Sequence, residues 1–160
     1  MKLYYYFGIC LFVVILDLIT KNLAETHLSD KTVSVIPGFF DLVLVWNTGA
    51  AFGILAQAPD ILRKAVLISS STIAAIVATL YVLKKRSRLS KMEVVSLALI
   101  AGGAVGNLYD RLFLGAVRDF LDFYIKEHHW PAFNIADASI SIGITIFLFL
   151  ELYYKKRVRV

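Results

Sequence analysis

Charge is scarce in this chain. Charged residues make up 18% of it against 59% hydrophobic, where soluble domains carry about a quarter charged. A chain this apolar cannot face water all round, and its core is expected to be shared with lipid. Cysteine is nearly absent: Cys10 stands alone, which excludes an internal disulfide and a zinc site built on several thiolates. Histidines number three, and His128 and His129 are sequence neighbours that do not share a helix face. HExxH is missing, so no metal is expected; GxxxxGK[ST] and GxGxxG are missing too, so no nucleotide and no cofactor is expected. Ser69, Ser70 and Ser71 lie inside an apolar run without GxSxG or a nearby lysine, and read as helix-packing serines. The net charge of +5 would suit nucleic acid, but the basic residues gather in short clusters beside apolar runs. That is membrane topology, and no nucleic-acid partner is expected.

Long hydrophobic runs are what the chain does have. A hydrocarbon core of ~30 Å needs about 20 apolar helical residues. Four segments meet this, approximately 3–24, 62–83, 92–109 and 135–154. The expected fold is a single integral membrane domain over 1–160, an all-α core of four transmembrane helices. The first run could pass for a signal peptide, but Asp17 and Lys21 occupy the place of a small-residue cleavage site, so a retained helix is expected. Lys84, Lys85, Arg86, Arg88 and Lys91 follow the second span, and Lys155, Lys156, Arg157 and Arg159 follow the fourth. With Lys2 they make ten of the seventeen Lys and Arg residues. The positive-inside rule therefore puts 84–91, 155–160 and the N-terminus in the cytoplasm, and 25–61 and 110–134 outside. All eight aspartates (17, 30, 41, 60, 110, 119, 122 and 137) lie in the outer segments or the adjoining span ends. Acids contribute little to topology, so this asymmetry points to chemistry on the outer side.

In the first outer segment, Thr32 to Trp46 reads TVSVIPGFFDLVLVW, β-branched and aromatic around a Pro37-Gly38 turn signal. It predicts a small extracytoplasmic β-hairpin or cradle between helices 1 and 2. Its second arm, Phe39 to Trp46, is too apolar to stand in water and is expected to rest on the membrane or line a greasy groove. Asn47-Thr48-Gly49-Ala50-Ala51-Phe52-Gly53 follows, small enough for close backbone approach to a ligand, or simply a returning loop. The second outer segment is richer: GGAVGNLYDRLFLGAVRDFLDFYIKEHHWPAFNIAD, Gly102 to Asp137. Gly102, Gly103 and Gly106 allow tight helix packing. Asn107, Asp110, Arg111, Asp119, Asn134 and Asp137 gather where two spans meet the outer surface. Ionised groups cost ~2.5–3.5 kcal/mol at the bilayer centre and less near the interface, and chains rarely collect them there without partners or purpose.

Asp119 and Asp137 flank this segment. Brought within reach of each other, two carboxyls share one proton and offer a base and an acid at once, the means to drive water onto a peptide carbonyl. The alternative is structural: Asp137 caps the fourth span and Asp119 is a solvated loop acid. Asp17 and Lys21, four apart on one helix face, are either a bare ion pair worth a few tenths of a kcal/mol or a brace for the site. Arg111 could pair with neighbouring Asp110 or orient the acids. Tyr109-Asp110 matches one motif of presenilin-type proteases, whose partner GxGD does not occur.

DLITK (Asp17 to Lys21), NTGAAF (Asn47 to Phe52), GGAVGNLYDR (Gly102 to Arg111), VRDF (Val117 to Phe120) and PAFNIAD (Pro131 to Asp137) occur in that order. Together they make the chain resemble the bacterial lipoprotein signal peptidases, signal peptidase II, over essentially its whole length. The resemblance implies that Asp119 and Asp137 are a catalytic dyad. It implies that Asn47, Gly49, Gly103, Asn107, Asp110, Arg111, Asn134 and Ala136 line or support the substrate site, braced by Asp17 and Lys21. It also implies an aspartic endopeptidase of the bacterial inner membrane that acts on diacylglyceryl-modified prolipoproteins near the outer face; since one short chain holds the full set of parts, a monomer is expected. Cleavage would fall just before the lipidated lipobox cysteine. Membrane lipid is the other expected partner. The apolar hairpin and the Phe120 to Trp130 segment could then form a groove and a movable cover over the signal peptide. The rivals are a proton-coupled transporter using the same acids, which would carry an inverted repeat and broken spans that are not found, and a non-catalytic lipoprotein-binding scaffold.

Overall fold

The computed structural model describes residues 2–49 and 59–158. Ala50 to Gly53 of the small-residue loop and Arg159 of the last basic cluster fall outside these. Four helices carry the fold: α1 (Lys2–Leu28), α2 (Asp60–Lys85), α3 (Lys91–Phe113) and α4 (Ile135–Val158). Each contains a stretch long and apolar enough to cross a membrane. They run further than the expected spans, α1 on to Leu28 and α3 on to Phe113, with Leu28 and Asp110 buried at those ends.

Helix α3 is the hub, packed on α1, α2 and α4. Its small residues permit this. A Cβ on Gly102 would stand 2.9 Å from the Val13 Cβ of α1, and one on Gly103 would meet the Ala136 carbonyl oxygen and Ile140 Cγ1 of α4. Gly143 returns the favour, its hydrogen side lying on the Ser96 carbonyl oxygen of α3. Without a hydrophobic drive between helices in lipid, such close backbone approach is what holds them. Ser90 and Glu93 form a reciprocal capping box at the start of α3. Lys2 Nζ donates to the Leu89 carbonyl at 2.6 Å, tying the start of α1 to the α2–α3 turn.

At the opposite end sits a four-stranded antiparallel sheet in the order β1-β2-β3-β4. The expected hairpin supplies β1 (Val33–Ile36) and β2 (Phe40–Asn47). Phe39 N–H bonds Ile36 O at 3.0 Å across Pro37-Gly38, and Gly38 takes φ 80, the conformation a type II turn asks of glycine. The second outer segment contributes β3 (Val117–Ile125) and β4 (His128–His129). Its Phe120 to Ile125 portion is therefore an interior strand, paired with β2 on one side and β4 on the other. It is no free-standing cover. DFLDFYI shows no clean alternation because the whole start of β3 is buried. Arg118 and Phe120 face α1, where Phe120 packs with Ala24 and Leu28, while Val117 and Asp119 face a cavity. Strand periodicity thus sends Asp119 and its neighbour Arg118 to opposite sides.

Candidate active site

The cavity lies between the sheet and the first turns of α4 and has a volume of ≈ 450 Å³. Its polar wall includes Asn47, Arg111, Asp119 and Asp137, and its apolar wall includes Val117, Phe133, Ile140 and Ile142. Asp119 arrives on β3 and Asp137 on α4. Asn134 is the cap of α4: its Oδ1 accepts the Asp137 N–H at 2.9 Å, leaving its Nδ2 to donate to Asp119 Oδ1 at 2.7 Å. Asn107 of α3 donates from Nδ2 to Asp137 Oδ1 at 2.7 Å. The two amides also meet, Asn134 Nδ2 standing 3.3 Å from Asn107 Oδ1. On the other flank Asn47 Nδ2 donates to Asp119 Oδ2 at 2.9 Å while its Oδ1 accepts the Gly49 N–H. A line of amides therefore fixes both carboxyl groups on one cavity. The cap belongs to Asn134 and not to Asp137, and Asp119 is a buried strand residue and not a solvated loop acid.

Burial pushes the Asp119 carboxyl up to about 7, against the pull of the Asn47 bond and with the help of nearby Asp137. Removing a carboxylate from water penalises its charged form, and a second acid adds to the penalty.

Beneath the cavity lies a buried charge network. Lys21 Nζ donates to Asp17 Oδ2 at 2.7 Å and to Asn107 Oδ1 at 3.0 Å, and stands 3.6 Å from Asp110 Oδ2. Asp17 Oδ1 accepts the Ala136 N–H at 2.9 Å, satisfying one of the orphan amides that open α4. Asp17 and Lys21 are thus far more than a surface pair. Gly103 and Ala136 pack in the α3–α4 seam, and Gly106 leaves room for Asp17: a Cβ there would stand 2.5 Å from its Oδ2.

Asp110 and Arg111 do not pair with each other, since consecutive helical residues point in different directions. Asp110 takes a fork from Arg118, Nη2 to Oδ1 at 2.7 Å and Nε to Oδ2 at 3.2 Å, plus the Arg118 backbone N–H at 3.0 Å. Arg111 reaches across to Ser71 Oγ of α2 at 2.9 Å. Its Nε is buried with no hydrogen-bond partner among the described residues, while the guanidinium borders the cavity. Sequence reasoning missed Arg118, although a cation beside Asp119 in VRDF was a visible signal. It also missed Ser71, taken for a packing residue, and the Trp130 to Phe133 wall of the cavity. His128 and His129 lie on the exposed β4, His129 Nδ1 within 2.9 Å of Asp122.

Residues 9–153 match the family model described as signal peptidase (SPase) II. A lipoprotein signal peptidase of Sulfurihydrogenibium sp. (strain YO3AOP1) is 60% identical over 156 residues, covering 98% of this chain and 96% of that protein. One from Aquifex aeolicus (strain VF5) is 50% identical over 151 residues, 94% of this chain and 87% of that protein. A solved bacterial membrane enzyme superposes with a TM-score of 0.82 at 32% identity, covering 96% of this chain and 90% of that one.

Proposed function

This chain belongs to the signal peptidase II family, and from that premise we propose that it removes signal peptides from diacylglyceryl-modified prolipoproteins, cutting just before the lipidated cysteine with Asp119 and Asp137. The observation that carries the assignment is the amide line that brings these two carboxyls, from different elements, to one cavity. Asp119, raised to about 7, holds the shared proton in the resting pair. Asp137 takes a proton from water as the water attacks the scissile carbonyl, and Asp119 protonates the carbonyl oxygen. Collapse of the gem-diol then breaks the C–N bond, with the proton on Asp137 passing to the leaving amine and one gem-diol hydroxyl proton returning to Asp119, which restores the resting pair. The Arg111 guanidinium, on the same wall, stabilises the carboxylate charge and the developing negative charge on oxygen.

The apolar wall of Ile140 and Ile142 suits acyl chains and the signal peptide's hydrophobic stretch. The basic clusters lie at the helix ends away from the sheet, so both termini face the cytoplasm and the cavity faces outward. All the parts occur in one chain, which acts as a monomer. Purified protein given a synthetic diacylglyceryl-modified precursor peptide should release the lipidated fragment with an N-terminal cysteine. Asp119→Asn and Asp137→Asn should bind the peptide without cutting it. Binding without cleavage by the parent protein would make it a scaffold, and cleavage by the double Asn variant would remove the aspartic mechanism.

A further inference from the structure

We infer that Arg118 is a positioning residue for the hydrolysis proposed above, keeping both carboxyl groups in place through Asp110 and Lys21. The inference rests on that reading. Arg118 is 2% exposed, and its side chain bonds Asp110, Asn22 and Glu25, none of which lines the cavity. On the far side of β3 from Asp119 it forks onto Asp110 and extends Nη1 to Asn22 Oδ1 at 2.6 Å and to Glu25 Oε2 at 2.8 Å on α1. Its own backbone N–H also ends on Asp110, and its carbonyl stands 3.4 Å from Asn134 Nδ2. The strand is thereby pinned to α1 and α3 at the residue next to Asp119.

A second effect is electrostatic. Asp17 and Asp110 are both fully buried beside a single ammonium, Lys21. Because Arg118 satisfies Asp110, Lys21 sits on Asp17 and on Asn107 Oδ1 and leaves Asp110 at the longer distance. The ammonium on Asn107 Oδ1 decides which way that amide faces, with Nδ2 toward Asp137. Without Arg118 the nearest cation to Asp110 is Lys21. Its movement toward Asp110 leaves the Asn107 oxygen only the longer bond from Asn134 Nδ2, lets the amide turn, and releases Asp137. One guanidinium thus governs Asp119 through the strand and Asp137 through Lys21 and Asn107.

The test measures kcat and KM separately for purified R118K, R118M and D110N/R118M on the diacylglyceryl-modified peptide, beside the parent and D119N. Lys keeps the charge but cannot reproduce the fork. Misplacement of reacting groups by about 1 Å costs on the order of 100-fold, so R118K and R118M should lose about 10- to 100-fold in kcat with KM held within about twofold. Removing the unpaired Asp110 charge in D110N/R118M should restore part of the kcat lost by R118M, the non-additivity expected of residues in one network. Unchanged kcat in R118M or R118K, even with a lowered melting temperature, overturns the inference, as does a rise in KM alone or a double variant no better than R118M. Should R118M fail to fold, R118K decides by the same split. A parent that does not cut defeats the proposed function instead, whatever the Arg118 variants do.

Discussion

Replacing Asp119 by Asn should abolish cleavage and stabilise the protein, by an amount that depends on pH. Asp119 is 1% exposed and its carboxyl is raised from 3.8 to about 7. At ~1.4 kcal/mol per pKa unit, keeping it folded and ionised costs about 4 kcal/mol above pH 7. An Asn side chain removes that cost but offers only one oxygen. Asn47 and Asn134 both donate to Asp119, so one donor would face another NH2 group, a loss of about 1–3 kcal/mol. The sign follows from the raised value. The protonated carboxyl favours the fold fully below its unfolded pKa, and that contribution is lost as pH rises toward 7. The advantage of the variant over the parent should therefore grow by roughly 2.5 kcal/mol between pH 5 and pH 7.5 and level off beyond. Unfolding of both proteins in the same detergent micelles, followed by circular dichroism across that range, measures it. A difference that is constant with pH, or that shrinks as pH rises, would refute the placement of a protonated acid at this position.

Three further outcomes are expected. For the parent, kcat/KM on the lipidated peptide should fall as pH rises through about 7, when Asp119 gives up the proton it donates in the proposed mechanism; a profile flat to pH 9 would contradict this. Gly106→Ala would drive a methyl onto Asp17 Oδ2, costing roughly 1–3 kcal/mol and displacing Lys21, so melting temperature and cleavage should fall together. Gly38→Ala meets open space but sits at φ 80, so it should cost about 1–2 kcal/mol in the melt and leave the cleavage rate unchanged.

What could be read from the residues follows the physics that is local in sequence. Four spans and the Pro37-Gly38 hairpin come from apolar length and turn chemistry, both of which act over neighbouring residues. The β3 strand was hidden because alternation marks a strand with one wet face. Val117 to Phe120 are buried on both faces, so their pattern carries no period. The same holds for the polar residues. Asp17 and Lys21 could be paired from their spacing of four, yet nothing local says that Asp17 also caps α4. Pairing of Asp110 with Arg111 was one of two readings open from the sequence; the helix turns them apart and the sheet brings Arg118 to Asp110 instead. Long-range partners of buried charges are set by packing, and packing is what a single sequence withholds.

The amide of Ala136 is satisfied by a carboxylate 119 positions earlier in the chain, and Asp137 follows it directly. That bond ties the start of the last helix to the first, so the second acid is set beside the cavity by a contact that spans most of the chain. On the function proposed above, a chain clipped ahead of α4 keeps Asp119 without its counterpart and should cut no peptide.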